Sequence, residues 1–536
     1  MGDRDPVIVT DGLTRRFGDL TAVDHLDLEV RRGSVFGLLG RNGAGKTTTI
    51  EMLITLLAPT EGTARVAGFD IRSEASRVRR VIGYVPQMVS ADGSLTAWEN
   101  LMVFSRLYHV PRAERRERIE HALSFMGLEE SAHKLVREFS GGMVRKLEII
   151  QSMLHRPEVL FLDEPTIGLD PAARQGVWEQ VRDLIAAEGT TLILTTHDME
   201  EASELCEEVV IMHLGRVVAR GSPLEIARSA GEKATLDDPS SRSPATPARW
   251  KEGSDMSLAQ GAPPAGSAEH VPGAGRYGSP VPRFVEDALA IADMEVHKLR
   301  HDPAEVFTRA VQPVLWLLIF GEVMERTHAI PTGNLAYIDY LAPGVLAQSA
   351  LFVSIFYGIA VIWERDLGVL HKFLVSPSSR VAIVSGKAAS AGVRALAQGT
   401  IVYIVAAALG VDLRLRVPAL TGVILVLLLG AALFATFSLI IACLVKTRER
   451  FMGMGQVLTM PLFFASSAIY PIVIMPRWLQ AFAHINPLTY QVDALRTLML
   501  AHGRSAFGLG TDFAVLVGVL LALTAVAARI YPRVIT

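Results

Sequence analysis

The chain has 536 residues, of which 50% are hydrophobic and only 20% are charged, and its formal net charge is −3. This charge is not typical of a nucleic-acid-binding protein. Two cysteines exclude a disulfide framework, and the length leaves room for two large domains or for three or four smaller ones.

The charged residues are divided unevenly along the chain. Residues 301–536 contain 17 Lys and Arg and 11 Asp and Glu, so about 12% of them are charged, against about 26% of residues 1–300. The second part therefore suits a lipid environment and the first part suits water. The first 30 residues lack the apolar core of a signal peptide, so we expect this end to stay in the cytoplasm.

Short apolar runs alternate with amphipathic stretches up to about residue 229. The clearest predicted strands are Val35–Leu39, Val81–Val85, Val159–Leu162 and Thr191–Thr195. Strands that are apolar throughout and alternate with helices are typical of a buried, largely parallel sheet. We therefore predict an α/β domain over residues 1–229.

The composition changes over residues 230–283, where Pro, Gly, Ser and Ala predominate. A segment with so few branched apolar side chains cannot bury enough surface to fold, which predicts a flexible linker. An extended arm that orders on a partner is the alternative. Residues Phe284–Arg300 then have the pattern of an amphipathic helix that leads to a bilayer surface.

The apolar stretches that follow are long enough for a hydrocarbon core, which a helix crosses in about 20 residues. We predict an all-α membrane domain over residues 284–536 with about six spans, near residues 310–324, 341–363, 390–410, 418–445, 452–475 and 512–530. With the N-terminus inside, thirteen Lys and Arg residues lie near cytoplasmic ends and six near outer ends. This asymmetry agrees with the positive-inside rule and predicts a multi-pass protein of the cytoplasmic membrane.

A glycine-rich motif, Gly40-Arg-Asn-Gly-Ala-Gly-Lys46-Thr47, follows an apolar strand and precedes a predicted helix, as in a P-loop. Its glycines allow backbone amides to turn toward phosphate oxygens, Lys46 reaches the terminal phosphates, and the Thr47 hydroxyl coordinates Mg²⁺. The nucleotide-binding residues that we predict here are Gly40, Asn42, Gly43, Ala44, Gly45, Lys46, Thr47 and Thr48.

Two carboxylates, Asp163 and Glu164, end the predicted strand Val159–Leu162. Phosphoryl transfer mainly needs positioning and charge neutralisation, so Asp163 would hold the Mg²⁺ shell and Glu164 would polarise the attacking water. Two acids after a strand are by themselves equally consistent with a solvated turn. Their position downstream of a P-loop favours the catalytic interpretation.

The segment Phe139-Ser140-Gly141-Gly142-Met143 precedes a helical stretch. Ser140 is a good N-cap and the two glycines permit close backbone approach, so the start of this helix can bind phosphate. In isolation the segment is more often a cap and a turn.

Together these motifs resemble the ATP-binding cassette of ABC transporters over about residues 7–225. The further motifs that carry the resemblance are Gln87, the run Gly168-Leu169-Asp170, and His197 after the strand Thr191–Thr195. The resemblance implies an ATPase that works as a homodimer, with two cassettes placed head to tail. Each ATP then lies between the P-loop of one cassette and Ser140, Gly141 and Gly142 of the other.

The resemblance also implies roles for four single residues. Phe17 would stack on adenine, Gln87 would join the Mg²⁺ site to the membrane part, His197 would contact the γ-phosphate, and Asp170 would cross the dimer seam. These roles are read from the family's motifs.

Two positions depart from the family's usual pattern. Phe139 stands where Leu is usual, and Met143 stands where Gln is usual. Met cannot make the hydrogen bonds of glutamine. Ser140 and both glycines are retained, and Ser-Gly-Gly-Met is similar to the daunorubicin type of drug-resistance exporter, so we expect an active site.

Two segments of the membrane part support the resemblance to exporters. Glu364–Arg380, between the second and third predicted spans, and Trp478–Arg496, before the last span, resemble export permeases that are fused to such cassettes or encoded beside them. The charge distribution places Glu364–Arg380 in the cytoplasm, where it would be the lever that contacts the cassette. A charged flank that stops a helix is the alternative.

Few ionisable residues lie well inside the predicted spans, where a charge costs about 2.5–3.5 kcal/mol on insertion scales. This scarcity argues against an ion pathway and favours export of a hydrophobic small molecule, such as a drug or an antibiotic. Export of a lipid-linked saccharide or polymer is one alternative, and a membrane regulator that uses ATP to act on a partner protein is another. Arg394 is the exception, and we expect it to extend to the membrane interface rather than to contact cargo.

Overall fold

The computed structural model describes residues 5–232, 280–333, 335–445 and 447–531. Most of the predicted linker, residues 233–279, lies outside the described residues, so the prediction made for it stays a prediction. The domain boundaries that we place at residues 229 and 284 flank this gap.

Ten strands form two sheets in the described N-terminal part. The strands are β1 Pro6–Phe17, β2 Leu20–Arg31, β3 Val35–Leu39, β4 Glu61–Val66, β5 Phe69–Asp70, β6 Ile82–Val85, β7 Val159–Asp163, β8 Thr191–Thr196, β9 Glu208–His213 and β10 Arg216–Gly221. The smaller sheet has the order β2-β1-β4-β5 and is antiparallel, and the larger has the order β10-β9-β3-β8-β7-β6. In the larger sheet every neighbouring pair is parallel except β9 and β10.

Helices cover the faces of the larger sheet. They are α1 Lys46–Leu53, α2 Ala75–Val81, α3 Ala97–Leu107, α4 Arg115–Phe125, α5 Gly141–Met153, α6 Pro171–Glu188, α7 Met199–Leu205 and α8 Pro223–Glu232. One apolar core lies between the larger sheet and α3 to α7, and a second lies between the two sheets and α1. The predicted α/β class is confirmed. Because β3, β7 and β8 are parallel, their carboxyl ends meet at one edge of the sheet.

The described C-terminal part is helical, as predicted. Its helices are α9 Pro280–His301, α10 Ala304–Leu315, α11 Glu322–Thr327, α12 Tyr337–Asp366, α13 Val369–Val375, α14 Arg380–Ala408, α15 Val417–Leu444, α16 Arg448–Phe464, α17 Arg477–Ile485, α18 Pro487–Met499 and α19 Leu509–Ile530. A π-helical segment, Trp316–Gly321, joins α10 to α11. The longest helices, α12, α14 and α15, pack side by side.

Five segments of the described chain are long and apolar enough to cross a membrane, compared with the predicted six. They are Ala304–Thr327, α12, α14, α15 and α19. The remaining predicted span, residues 452–475, contains α16, which has 17 residues and ends at Phe464. A helix of that length rises about 26 Å, somewhat less than the hydrocarbon core of about 30 Å.

The amphipathic helix predicted at Phe284–Arg300 forms as α9, and protein covers part of its apolar surface, while Val285 and Leu289 stay exposed. Ala290, Ile291 and Met294 are at most 2% exposed, in a cluster that also contains side chains from α3 and α13. The periodicity of the sequence is the same whether lipid or protein covers such a face. Helix α9 therefore joins the cassette to the membrane part.

Candidate active site

The loop between β3 and α1 is shaped by three glycines with positive φ: Gly40 at 155°, Gly43 at 82° and Gly45 at 102°. A Cβ at Gly40 would overlap the backbone oxygen of Met212, so this position needs glycine for space as well as for conformation. A Cβ at Gly43 would meet nothing within 4 Å, so the middle of the loop is open. The buried Lys46 donates a 2.7 Å hydrogen bond to the carbonyl oxygen of Gly40.

The other predicted P-loop residues lie around this opening. Asn42 is exposed at the tip of the loop, and Ala44 is buried beneath it, where its carbonyl oxygen accepts a 3.0 Å bond from the amide of Gly215. Thr47 and Thr48 lie in the first turn of α1, exposed and half-buried respectively. The loop and the helix N-terminus together present backbone amides to one space, as phosphate binding requires.

Asp163 ends β7 beside this loop. Its Oδ1 accepts a hydrogen bond from the Thr47 hydroxyl at 3.3 Å, and the Thr195 hydroxyl of β8 also donates to it. Burial raises the pKa of the Asp163 carboxyl, although these two hydroxyls act in the opposite direction. A carboxylate that is buried next to a hydroxyl is a suitable pair of oxygen ligands for Mg²⁺.

Three predicted site residues converge on Glu164. Its Oε1 lies 3.3 Å from the Lys46 ammonium, while its Oε2 accepts a 3.0 Å bond from Gln87 and lies 3.3 Å from Nδ1 of His197. The side chains of Lys46 and Glu164 are only 5% and 6% exposed. Glu164 also has a φ of 44°, and its amide donates to the Thr195 carbonyl at 3.1 Å. Such a strained non-glycine backbone persists where the surroundings fix it, often at functional sites.

The predicted phosphate-binding segment at Ser140 lies at the start of α5. Ser140 is the N-cap, and its hydroxyl accepts a 3.3 Å bond from the Met143 amide. The side chains of Phe139 and Met143 pack against the core on this side of the sheet, so both departures from the family pattern make apolar contacts. Among the described residues, no hydrogen bond or ion pair joins residues 140–142 to the P-loop of the same chain.

Phe17 and Asp170 are placed at the surface. Phe17 ends β1, is 42% exposed, and has the Arg15 guanidinium carbon 4.5 Å from its ring centroid. Asp170 is the exposed N-cap of α6, where it accepts a 2.9 Å bond from the amide of Ala173. The contacts predicted for both, with adenine and with a second cassette, stay predictions.

A buried ion pair in α5 was missed by the sequence analysis. Arg145 donates to the carbonyl oxygens of Pro86 and Gln87 at 2.8 and 2.9 Å and to Glu148 at 2.9 Å. Glu148 in turn accepts bonds from the Ser90 hydroxyl and from nearby amides. The available signal was a pair of opposite charges three residues apart in a predicted helical stretch. We call residues 86–92 the Gln87 segment, and this pair ties it to α5.

Helix α9 is joined to the cassette by charges. Lys298 lies 2.7 Å from Asp92 at the end of the Gln87 segment, 3.2 Å from Glu295, and 3.7 Å from Glu364 at the end of α12. The other pairs between α9 and the cassette are Arg106 with Asp293, Arg115 with Glu286, His109 with Asp287, and His301 with Glu99. The cassette and the membrane part thus share an ionic contact surface.

The short helix α13, within the predicted lever Glu364–Arg380, reaches into the cassette. Lys372 donates a 2.5 Å bond to Gln151 of α5, and the Phe373 ring stacks on Phe104 of α3 with centroids 5.6 Å apart. Val375 is buried in the core around α1. The predicted contact between this lever and the cassette is confirmed.

Removing Arg145 should destabilise the cassette strongly. The substitution Arg145→Met leaves Glu148, which is 0% exposed, charged and without its cation, and breaking a buried pair in this way costs about 3–5 kcal/mol. The matched control is Arg116→Met, which breaks a pair with Glu120 whose side chains are 81% and 53% exposed and which is worth about 0–1 kcal/mol. Melting temperatures of the purified proteins measure the difference. Equal melting temperatures would contradict the structural role of Arg145.

Lys372 should make stability depend on alkaline pH. Burial lowers the pKa of Lys372 to about 8, whereas the unfolded chain titrates near pH 10.4, so the unfolded chain binds more protons at this site between about pH 8 and about pH 10.4. The stability contribution of this site therefore rises with pH across that window. We expect the melting temperature of Lys372→Met to lack the part of the increase between about pH 8 and about pH 10.4 that this site contributes. The control variant Lys134→Met, at an exposed position, should keep that part. A gain that is identical in all three proteins would refute the prediction.

Comparisons with known proteins agree with this architecture. Residues 23–167 match the ABC transporter family model, and residues 287–500 match the ABC-2 type transporter model. The chain is 46% identical over 221 residues to the Nod factor export ATP-binding protein I of Ralstonia nicotianae. The aligned region is 41% of this chain and 68% of that protein.

Two Streptomyces proteins are similar to the same part of the chain. The daunorubicin/doxorubicin resistance ATP-binding protein DrrA of Streptomyces peucetius is 45% identical over 241 residues, 44% of this chain and 73% of that protein. The daunorubicin resistance ATP-binding protein DrrA3 of Streptomyces coeruleorubidus is 44% identical over 227 residues, 42% of this chain and 72% of that protein. The chain therefore belongs to the ABC transporter family, as a multi-pass membrane protein that joins a cytoplasmic ATPase cassette to an export-type permease domain.

Proposed function

We propose that this transporter exports hydrophobic small molecules, such as a drug or an antibiotic, and that it works as a homodimer. The observation that carries the proposal is the convergence of Lys46, Gln87 and His197 on Glu164, in a cassette that is packed against its own permease domain. Two of its relatives are named for daunorubicin resistance, which supports the class of cargo.

The hydrolytic step follows from the positions of these side chains. Glu164 orients and polarises the attacking water, Lys46 and the amides of the P-loop hold the terminal phosphates, and His197 contacts the γ-phosphate. The Glu164 carboxylate is fixed at both oxygens, so little reorganisation is needed when the water is polarised.

A divalent cation fits the same site. Two adjacent buried carboxylates, Asp163 and Glu164, accept hydrogen bonds from the Thr47 hydroxyl and from the Gln87 amide nitrogen, respectively. The Gln87 amide also carries an oxygen, which is the kind of atom that a cation needs. We propose that Thr47, Asp163 and Gln87 hold Mg²⁺, which when bound neutralises charge on the transferred phosphoryl group.

The homodimer supplies the second half of each ATP site. Ser140, Gly141 and Gly142 open α5 with unpaired helix amides, and they make no hydrogen bond to the P-loop of their own chain within the described residues. We propose that they contact the phosphates of ATP held by the partner subunit, with Phe17 on the adenine and Asp170 at the seam.

Closure of the cassettes would be transmitted to the membrane part through two contacts. Helix α13 is anchored on α5 and α3, and Lys298 of α9 is paired with the Gln87 segment. Because α5 also carries Ser140, a shift of the cassettes against each other moves α13 and α9 as well. This is the lever that alternating access between inward and outward states requires.

Replacing Glu164 should separate ATP binding from hydrolysis. Glu164→Gln keeps the shape of the side chain but removes the carboxylate, so we expect nearly unchanged ATP binding and a rate of phosphate release lowered about 10²- to 10⁴-fold. Exposed Glu200→Gln, on α7, is the control and should hydrolyse ATP like the wild type. Wild-type turnover by Glu164→Gln would remove Glu164 from its proposed role.

The same variants in proteoliposomes test the cargo. We expect ATP-dependent accumulation of daunorubicin by the wild type and none by Glu164→Gln. One relative is named for Nod factor export, so lipid-linked saccharides are assayed in parallel, and preferential transport of these would favour the second candidate. An ATPase that moves neither, and is active only beside another protein, would favour the regulator instead.

A further inference from the structure

A cavity of about 520 Å³ lies between α10, α12 and α14 of a single protomer. Glu305 and Arg309, in the first turns of α10, line it together with Trp363, in the last turn of α12. The cavity therefore lies at the end of the membrane part that faces the cassette. Its volume is within the range of small-molecule sites, about 300–1,000 Å³.

Three buried polar side chains line the cavity without a complete set of hydrogen bonds. Gln348, Ser349 and Gln398 are 2–3% exposed, and Oε1 of both glutamines and Oγ of Ser349 have no partner among the described residues. Nε2 of Gln398 donates a 2.9 Å bond to the carbonyl oxygen of Arg309, which fixes its amide and leaves Oε1 as an acceptor. An unpaired buried acceptor costs about 1–3 kcal/mol, so a ligand that donates hydrogen bonds here is favoured.

The charged groups of the cavity wall are already paired. Arg394 lies 2.6 Å from Glu295 and 2.7 Å from Glu305, and Glu305 also lies 2.9 Å from Arg309. Arg309, Arg394 and Glu305 line the cavity, whereas Glu295 lies behind Arg394, so each guanidinium group of the wall already has a carboxylate partner. Arg394 thus forms part of a paired wall, and our expectation that it extends to the membrane interface stays a prediction.

Four aromatic side chains also line the cavity. Phe352, Phe356, Tyr357 and Trp363 line the cavity, and the Arg394 guanidinium carbon lies 5.7 Å from the centroid of the Tyr357 ring. Aromatic walls bind flat rings by stacking and edge contacts. The cavity therefore combines stacking surfaces with hydrogen-bond acceptors and with charged groups that are already paired.

We propose that this cavity binds uncharged, hydroxylated aromatic molecules, whose hydroxyl groups donate to Gln348 and Gln398 and whose rings pack on the aromatic wall. The assignment rests on the proposed export of hydrophobic small molecules and names the class of cargo and its place within one protomer. The wall is also connected to the cassette, because Glu295 lies 3.2 Å from Lys298, which is paired with Asp92.

Equilibrium dialysis with a matched pair of probes tests the assignment. The probes are resveratrol, an uncharged trihydroxylated stilbene, and trans-stilbene, which has the same rings without hydroxyl groups. We expect the full-length protein in nanodiscs to bind resveratrol at least tenfold more tightly than stilbene after subtraction of empty nanodiscs, because a site built to accept hydroxyl donors rejects the analogue that lacks them.

The variants separate the acceptors from the rest of the protein. The double variant Gln348→Leu/Gln398→Leu should raise the Kd for resveratrol at least tenfold without raising the Kd for stilbene. Ser349→Ala, which removes one hydroxyl from the same wall, should raise the Kd for resveratrol less. Gln456→Leu, at an exposed position of α16, is the control and should leave both values unchanged. Melting temperature and gel filtration establish that each variant is folded.

Three results would overturn the assignment. They are wild-type affinity for resveratrol in the folded double variant, equal affinity of the wild type for both probes, and absence of resveratrol binding to the wild type. ATP-driven resveratrol transport that is unaffected in the double variant would place the cargo elsewhere while the proposed export function holds. Failure of the wild type to transport any small molecule, with the binding pattern intact, would instead refute the export function.

Discussion

The Gln87 segment is held by a buried carboxylate that must stay paired. Glu148, fully buried in α5, accepts hydrogen bonds from Ser90 and Ala91 and forms an ion pair with Arg145, which also binds the carbonyl oxygens of Pro86 and Gln87. Separating these groups would leave a charge in the interior without compensation. The Gln87 segment and α5 are therefore expected to move as one body.

Because of this constraint, the Gln87 segment and α5 together connect three parts of the protein. At one end Gln87 contacts Glu164, at the start of α5 Ser140 presents unpaired amides, and at the other end Asp92 is paired with Lys298 of α9. From Lys298 the ion pairs continue through Glu295 to Arg394 in the wall of the cavity. Charges that are shielded from water interact more strongly than exposed ones, so this series of pairs can link the proposed nucleotide site to the proposed cargo site over a long distance.

The sequence was most informative where chemistry is local. The P-loop, the carboxylates after β7 and the N-cap at Ser140 are contiguous motifs, and the rule that parallel strands end at one edge of the sheet predicts that the P-loop and the carboxylates lie close together. Sequence patterns could not identify the partners of Arg394, because Glu295 lies 99 residues away on another helix. They also could not distinguish a lipid-covered from a protein-covered face on α9, since both need the same periodicity. Helix α16 ends at Phe464, inside the predicted span 452–475, and average hydropathy does not detect such a local end of a helix.

Hydrogen exchange of the full-length protein tests most directly whether the Gln87 segment transmits the state of the nucleotide site to α9. In the Glu164→Gln background, addition of ATP with Mg²⁺ should change exchange in the P-loop and in α9, and Asp92→Asn should abolish the change in α9 while keeping that in the P-loop. Asp293→Asn, which removes a different ion pair of α9 at a more exposed position, should keep both changes. An α9 that does not respond to ATP, or that responds equally without the Asp92 carboxylate, would contradict the proposed connection.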